Sequence, residues 1–295
     1  MKIPEYRKAY GSNHASASGG TQPVDEHILK LFLRQQFQRQ FPMTTRPRAG
    51  QIIQRICDNH FGIADYQPEL GVTKEMPLEE AINDGIREFK AFAPITYDDG
   101  RDVETKERLF DDIPVMAQHA AKGIQEYFEG QVPEGEYERT FIEDKLDVPV
   151  IGYIDYARDN KMLDLKCSFP IRNPIKKDGT RTWRVTEPRT EPTPTQIMQQ
   201  AVYYQATGQK PALLFVTSKG YHLATEENCD DLTVDALEES YDMILRRWIV
   251  IQNHMRDAKG SWKELFARVN PDFQQIAQRH GPEILTIAKE AWRIK

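Results

Sequence analysis

The sequence is short of several things, and each shortage removes a class of answers. Three cysteines (Cys57, Cys167 and Cys229) in 295 residues have no metal-like spacing and no pattern of a disulfide framework. No apolar run approaches the roughly 18 residues of a membrane span. The opening stretch, "MKIPEYRKAYGSNHASASGG", lacks the apolar centre of a secretory signal, so a reduced, cytoplasmic protein is expected. No internal repeat is visible, and no Gly-rich Walker A loop announces a motor. Excess positive charge is also missing. Asp and Glu number 45 against 39 Lys and Arg, a net charge of −6, which disfavours a general nucleic-acid coat protein but leaves room for a local basic groove.

What is present is an ordinary globular composition, 39% hydrophobic and 28% charged, with enough apolar material for a sizeable core. Residues 1–23 are polar and rich in Gly and Ser and read as a mobile tail; residues 24–295 read as one domain. Its front, 24–130, is helical. "VDEHILKLFLRQQFQRQF", "RAGQIIQRICDNHFG", "PLEEAINDGIREFKAF" and "IPVMAQHAAKGIQEYFEG" carry apolar residues at helical spacing, the second stopping near Gly62. Glu79 and Glu80 suit the first turn of the third, where the helix dipole favours them. In the core, 136–225, the period changes. "RTFIEDKL", "PVIGYIDYA" and "KMLDLKCSF" read as strands, with Asp159-Asn160 as a tight hairpin turn. "PTPTQIMQQAVYYQATG" returns to helix, with Thr195 as N-cap and Gly208 as C-cap, and the strands "PALLFVT" and "GYHLAT" follow. The back, 230–295, is helical and amphipathic, and could cover the sheet or make a homo-oligomer contact.

The chemistry sits in "GYIDYARDNKMLDLKCS", residues 152–168. Strand alternation puts Asp164 and Lys166 on one face and Leu165 on the other, and Asp155 can face Asp164 across the pair. Two carboxylates so placed repel, and one tends to hold a proton. A divalent cation removes the conflict, and hard oxygen ligands suit Mg²⁺ or Mn²⁺. Lys166 can then orient or deprotonate a water, or stabilise charge developing on a phosphate, which is the logic of metal-assisted phosphodiester hydrolysis. The same residues also suit a surface hairpin closed by a salt bridge, because D-x-K is a common tripeptide.

This stretch resembles the core of the PD-(D/E)XK nuclease superfamily, in its RecB-like branch. That branch shows G-x-x-D, a hairpin turn, D-x-K-(T/C)-S and then a Q-x-x-x-Y helix. Here stand Gly152-Tyr153-Ile154-Asp155 and Asp164-Leu165-Lys166-Cys167-Ser168. Gln199-Gln200-Ala201-Val202-Tyr203-Tyr204 offers the helix motif in two registers. Gln196, Gln199, Gln200 and Tyr203 form one helical stripe, while Ile197, Ala201 and Tyr204 look core-facing, which favours Gln199 with Tyr203 over Gln200 with Tyr204. Glu143 matches an acidic position on the preceding strand, and the resemblance spans roughly residues 140–225.

The resemblance implies a restriction-endonuclease-like α/β core, a mixed central sheet flanked by helices, with helical additions at both ends. It implies a stand-alone Mg²⁺- or Mn²⁺-dependent DNA exonuclease of recombination, repair or DNA degradation, similar to compact phage-encoded forms. Asp155 and Asp164 would bind metal with the Leu165 carbonyl, Glu143 supporting; Lys166 would position the water; Gln199 and Tyr203 would hold the strand or the lysine. The branch often carries G-x-x-x-H on a front-end helix, where this chain has Gly50 to Gln54. Glutamine is a poor metal ligand, so Gln54 is read as substrate-binding; His119 and His60 could stand in for the missing imidazole, although a structural or surface role is the expected one for each. Iron–sulfur subtypes need four cysteines and are excluded. Cys167 reads as a small buried residue rather than a nucleophile.

DNA is expected along the loop "CSFPIRNPIKKDGTRTWRVTEPRT", where Arg172, Lys176, Lys177, Arg181, Arg184 and Arg189 outnumber Asp178 and Glu187 around Trp183. Basic charge with an aromatic suits a strand channel, and a solvated loop is the plainer alternative. Arg34, Arg39, Arg46, Arg48 and Arg55 form a second cluster that could line the opposite wall or simply be solvated. Two rival readings share these residues: a structure- or site-specific endonuclease on the same fold, and a catalytically inactive DNA-binding protein, motivated by the missing histidine.

Overall fold

The computed structural model describes residues 2–38, 43–63, 75–95, 97, 99–135, 137–177 and 181–293. Two short helices, α1 (Glu5–Ala9) and α2 (Ala17–Gly20), flank strand β1 (Ala15–Ser16), and α3 (Val24–Phe37), α4 (Thr45–Phe61), α5 (Leu78–Ala91) and α6 (Arg101–Tyr127) follow. Strands β2 (Tyr137–Phe141), β3 (Val150–Ile154), β4 (Tyr156–Arg158) and β5 (Lys161–Cys167) occupy the segment where the hydrophobic period changes. A small hairpin, β6 (Ile171–Arg172) and β7 (Trp183–Arg184), precedes α7 (Pro194–Thr207), β8 (Lys210–Thr217) and β9 (Gly220–Ala224). Helices α8 (Val234–Asp257), α9 (Trp262–Ala267) and α10 (Phe273–Trp292) close the chain. The molecule is mixed α/β, with mixed sheets between helices. No helix of the described residues is long and apolar enough to cross a membrane.

Local chemistry accounts for several element ends around the site. Asp159 adopts φ 52° in the two-residue turn that pairs Arg158 with Lys161, so the expected hairpin forms. Helix α7 is capped by Thr193 rather than Thr195. Thr193 accepts from the Gln196 N–H, the Gln196 side chain returns to the Thr193 N–H, and Pro194 sits at the first helical position. Gly208 ends the helix with φ 68°, as expected. Helix α6 begins at Arg101, well before the expected Ile113, and runs through Pro114. An internal proline costs about 3 kcal/mol. Leu109, Ile113 and Met116 are all fully buried on this helix, at about 1.5–3 kcal/mol each, so packing outweighs the proline.

A four-stranded sheet has the order β4-β5-β8-β9, with β5 and β8 parallel and both outer pairs antiparallel. Parallel neighbours need a crossover, and the connection through α7 supplies it. That connection lays α7 on the face carrying Met162, Leu213 and Phe215, where α8 also packs. Leu163, Ala212, Leu214 and Val216 face the opposite way, toward α4, α5 and α6. A third apolar cluster joins α3 to the ends of α8, α9 and α10, with Phe32 edge-on to Trp262 and Phe266.

The second sheet has the order β1-β3-β2. The segment expected as a single strand, "PVIGYIDYA", is therefore two, parted at Asp155 and shared between sheets. The opening residues are not a tail. Ala15 and Ser16 pair in parallel with Val150 and Ile151. Tyr10 is fully buried, and the buried Arg7 donates to Ser12 Oγ and Gln252 Oε1. Gly20 lies so close to α8 that a Cβ would stand 2.3 Å from Trp248 Nε1. Gly20, in a run that looks flexible, is small because α8 presses on it.

Candidate active site

The site grows from the break between β3 and β4. Continuing the register Tyr156–Leu163 by two residues would set Ile154 opposite Leu165. The chain bends instead, and Asp155 Oδ2 accepts the Leu165 N–H at 2.8 Å. A side chain thus replaces a backbone partner. The N–H and C=O of one strand residue leave on the same edge, so the Leu165 carbonyl faces the Asp155 side. On β5, Asp164 and Lys166 share the face toward α7, while Leu163, Leu165 and Cys167 pack the other way. Asp164 is 3% exposed. Its Oδ2 receives Lys166 Nζ at 2.5 Å and Gln200 Nε2 at 2.9 Å. Lys166 also donates to Gln199 Oε1 at 3.0 Å, and Gln199 Nε2 donates to Tyr203 Oη at 2.6 Å. Gly152 lies under the Tyr203 ring, where a Cβ would meet Cε1 at 2.9 Å.

Both glutamines of the helix motif therefore reach the site. Gln199 and Tyr203 form a relay behind Lys166, and Gln200 fixes Asp164, while Tyr204 packs into the core. Gln54, on α4, brings Nε2 to 3.5 Å from Asp155 Oδ1.

The electrostatics are those of a crowded acid pair. Burial, then the neighbouring Asp164 charge, push the Asp155 carboxyl well above the usual range; Lys166 and the Leu165 N–H oppose the shift, and the two carboxyl groups lie within hydrogen-bonding reach. Burial alone would lower the Lys166 ammonium, but Asp164 and Asp155 outweigh it and the net direction is up. Lys166 is therefore a charged donor at neutral pH. Burial, with help from Asp155, pushes the Cys167 thiol up to about 12, which leaves it protonated and inert.

Two clefts meet over these residues. One of about 730 Å³ is lined by Asp155, Asp164, Lys166, Gln199 and Tyr203 on its floor and by the N-terminal segment and α3 on its wall. The second, about 660 Å³, lies on the other side of Gln54, Leu165 and Lys166, which line both. Arg46 and Arg189 join Lys166 as its cations.

Other expected site residues lie elsewhere. The antiparallel register sets Tyr137 opposite Ile154 and Phe141 opposite Val150, so Glu143 follows the end of β2 farthest from Asp155. Its carboxylate accepts from Tyr241 Oη at 2.7 Å on α8. Arg172 is held by Glu104 at 2.7 Å and Asp99 at 3.0 Å, and Arg181 by Glu104 at 3.2 Å. Both are neutralised at the start of α6 rather than turned to either cleft. Lys176, Lys177 and Arg184 are exposed and line neither cleft. His60 and His119 bond through Nδ1 to the carbonyls of Met76 and Thr217, both at 3.0 Å, and line neither cleft. Of the second basic cluster, Arg48 and Arg55 pair with Glu88, Arg34 lines the first cleft, Arg46 lines the second, and Arg39 lies outside the described residues. Sequence reasoning missed His14, Ser16, Ser18 and Lys30 in the first cleft's wall, because the opening segment carries no period to read.

The chain matches no protein-family model, no curated protein and no solved structure.

The donor set bears on metal binding. Among the described residues no three His, Cys, Asp or Glu side chains cluster as a metal site. Two carboxylates with a backbone carbonyl nonetheless form a hard-oxygen set, and Mg²⁺ commonly uses one or two carboxylates and keeps several waters. The upward push on Asp155 is the strain that a divalent cation would relieve. Asp155, Asp164 and the Leu165 carbonyl thus fit Mg²⁺ or Mn²⁺. The free cysteines Cys57, Cys167 and Cys229 are too few for a four-thiolate iron–sulfur cluster.

Proposed function

We propose that this chain is a metal-dependent deoxyribonuclease that hydrolyses phosphodiester bonds from DNA ends, on a restriction-endonuclease-like core. One observation carries the reading: Asp155, Asp164 and Lys166 converge on the floor of an open cleft, with Gln199 and Tyr203 braced behind the lysine. A structural hairpin would gain nothing from two carboxylates in reach of each other, whereas metal-assisted phosphodiester hydrolysis uses such a pair to hold its cation. Asp155, Asp164 and the Leu165 carbonyl would hold Mg²⁺ or Mn²⁺, which supplies charge neutralisation at phosphate and a more acidic water. Lys166, charged and fixed by Gln199, orients a water or stabilises charge growing on phosphate oxygen. Gln200 keeps Asp164 aimed into the cleft. Gln54, between the two clefts, is placed to touch substrate on either side of Lys166. End-first action follows from the resemblance to RecB-like nucleases, whose Q-helix members mostly process ends.

The test uses end-labelled linear duplex and covalently closed circles with Mg²⁺, Mn²⁺ or EDTA, for the wild type and Lys166→Ala. Degradation of linear DNA alone, stopped by EDTA and by the substitution, is the expected result. Cut circles would replace it with an endonuclease. Binding without cleavage under either metal would leave a DNA-binding protein.

A further inference from the structure

The first cleft has a wall that the proposed chemistry does not use. Lys30 and Arg34 stand one helical turn apart on α3 and line the cleft together with His14 and Ser18. Among the described residues neither Lys30 nor Arg34 has a carboxylate partner, whereas Arg48, Arg55, Arg172 and Arg279 are all paired. Burial and then Arg34 lower both the Lys30 ammonium and the His14 imidazole, with Glu138 partly offsetting the effect on His14. The cluster is positive and repels itself. Across the cleft the floor carries two carboxylates against one lysine. A phosphate approaching that floor needs positive charge beside it, and this wall is where the fold keeps unspent cations.

We infer that Lys30, Arg34 and His14, with the Ser18 hydroxyl, form a phosphate-binding subsite for the nucleic-acid strand whose scissile bond lies over Lys166. The inference rests on the nuclease reading of the same cleft. It sets the path of the strand, from the α3 wall across Lys166 toward Arg46 and Arg189 in the second cleft. It also gives the N-terminal segment a role: pairing β1 with β3 brings His14 and Ser18 to the cleft. The phosphate recognised is either a strand terminus or an internal diester.

The experiment measures binding of fluorescent single-stranded and duplex oligonucleotides in EDTA, over a range of salt, to the wild type and to Lys30→Gln/Arg34→Gln. Lys30 and Arg34 line the open cleft and belong to none of the apolar cores, so the variant should melt like the wild type. The expected result is weaker binding with a salt slope smaller by about 2, since each phosphate contact carries about 1. Mn²⁺ affinity should be unchanged. Oligonucleotides ending in 5′-phosphate, 3′-phosphate or hydroxyl separate the sources. A preference for one phosphorylated end that the variant loses marks a terminal phosphate; an equal loss for all marks an internal diester. A variant that binds DNA with wild-type affinity and slope overturns the subsite and leaves the nuclease reading standing. A wild type that binds no nucleic acid overturns both.

Discussion

Replacing Gly152 by alanine asks whether the site is held by a train of contacts or by Lys166 alone. The added methyl would sit 2.9 Å from Tyr203 Cε1 and 3.0 Å from Cδ1. Carbon atoms rest about 3.5–4.0 Å apart, so the ring must withdraw by roughly 0.5–1 Å. It has little freedom to do so. Tyr203 is 3% exposed, and its hydroxyl accepts from Gln199 at 2.6 Å. Gln199 in turn receives Lys166 at 3.0 Å. Crowding one methyl into a packed core costs about 1–3 kcal/mol, and moving a positioning group by an ångström costs about 10²-fold in rate. Urea unfolding of Gly152→Ala should show the first loss and single-turnover cleavage the second. Tyr203→Ala removes the ring, and in that background Gly152→Ala should cost almost nothing, so the double-mutant cycle returns a coupling close to the whole single-mutant cost. Strictly additive costs, or a Gly152→Ala protein with wild-type stability and rate, would refute the relay.

Two further outcomes follow from the geometry. Thr193→Ala removes the capping box of the helix that carries Gln199 and Gln200, and should cost about 1 kcal/mol in chemical denaturation; an unchanged midpoint would mean that Pro194 suffices to start α7. Burial, with Lys30, Arg7 and His14 adding repulsion, lowers His27 to about 4. The unfolded chain therefore takes up that proton first, near pH 6.5. Stability is complete above that value and falls by up to about 3 kcal/mol as pH drops toward 4. His27→Gln should flatten that part of the stability-against-pH curve, and an unflattened curve assigns the acid sensitivity to other groups.

How much was legible follows from how local each signal is. Alternation within one strand fixes which face Asp164, Leu165 and Lys166 take, so the placement of these side chains can be read from a few neighbouring residues. The Q-helix stripe is equally local, and the crossover between parallel β5 and β8 delivers it to the correct face. Glu143 fails because its place depends on the β2–β3 register, which no single strand encodes. Arg172 and Arg181 fail because their partners, Asp99 and Glu104, sit at a helix start that Pro114 hides in the sequence. The opening segment fails most completely. Gly20 is small on account of Trp248 and Ile244, and that reason exists only once α8 has packed against it.

Asp155 is where the fold and the proposed chemistry want different things. An apolar residue there would leave the Leu165 N–H without its acceptor, at about 1–3 kcal/mol, so the bend between the sheets needs a side-chain oxygen. Asparagine has one, and carries no charge to set against Asp164. The carboxyl instead is pushed up by burial and by Asp164. Its folded pKa exceeds its unfolded one, so its penalty is absent below about pH 4 and grows as pH rises from there. A sequence chosen for the fold alone would hold asparagine at this joint. In EDTA at pH 8, Asp155→Asn should therefore be at least as stable as the wild type. Adding Mg²⁺ at about a hundred times its dissociation constant should stabilise the wild type by about 2.7 kcal/mol, and the variant far less. If the variant is instead the weaker protein in EDTA, the negative charge at Asp155 is structural; if Mg²⁺ lifts both equally or lifts neither, Asp155 holds no cation.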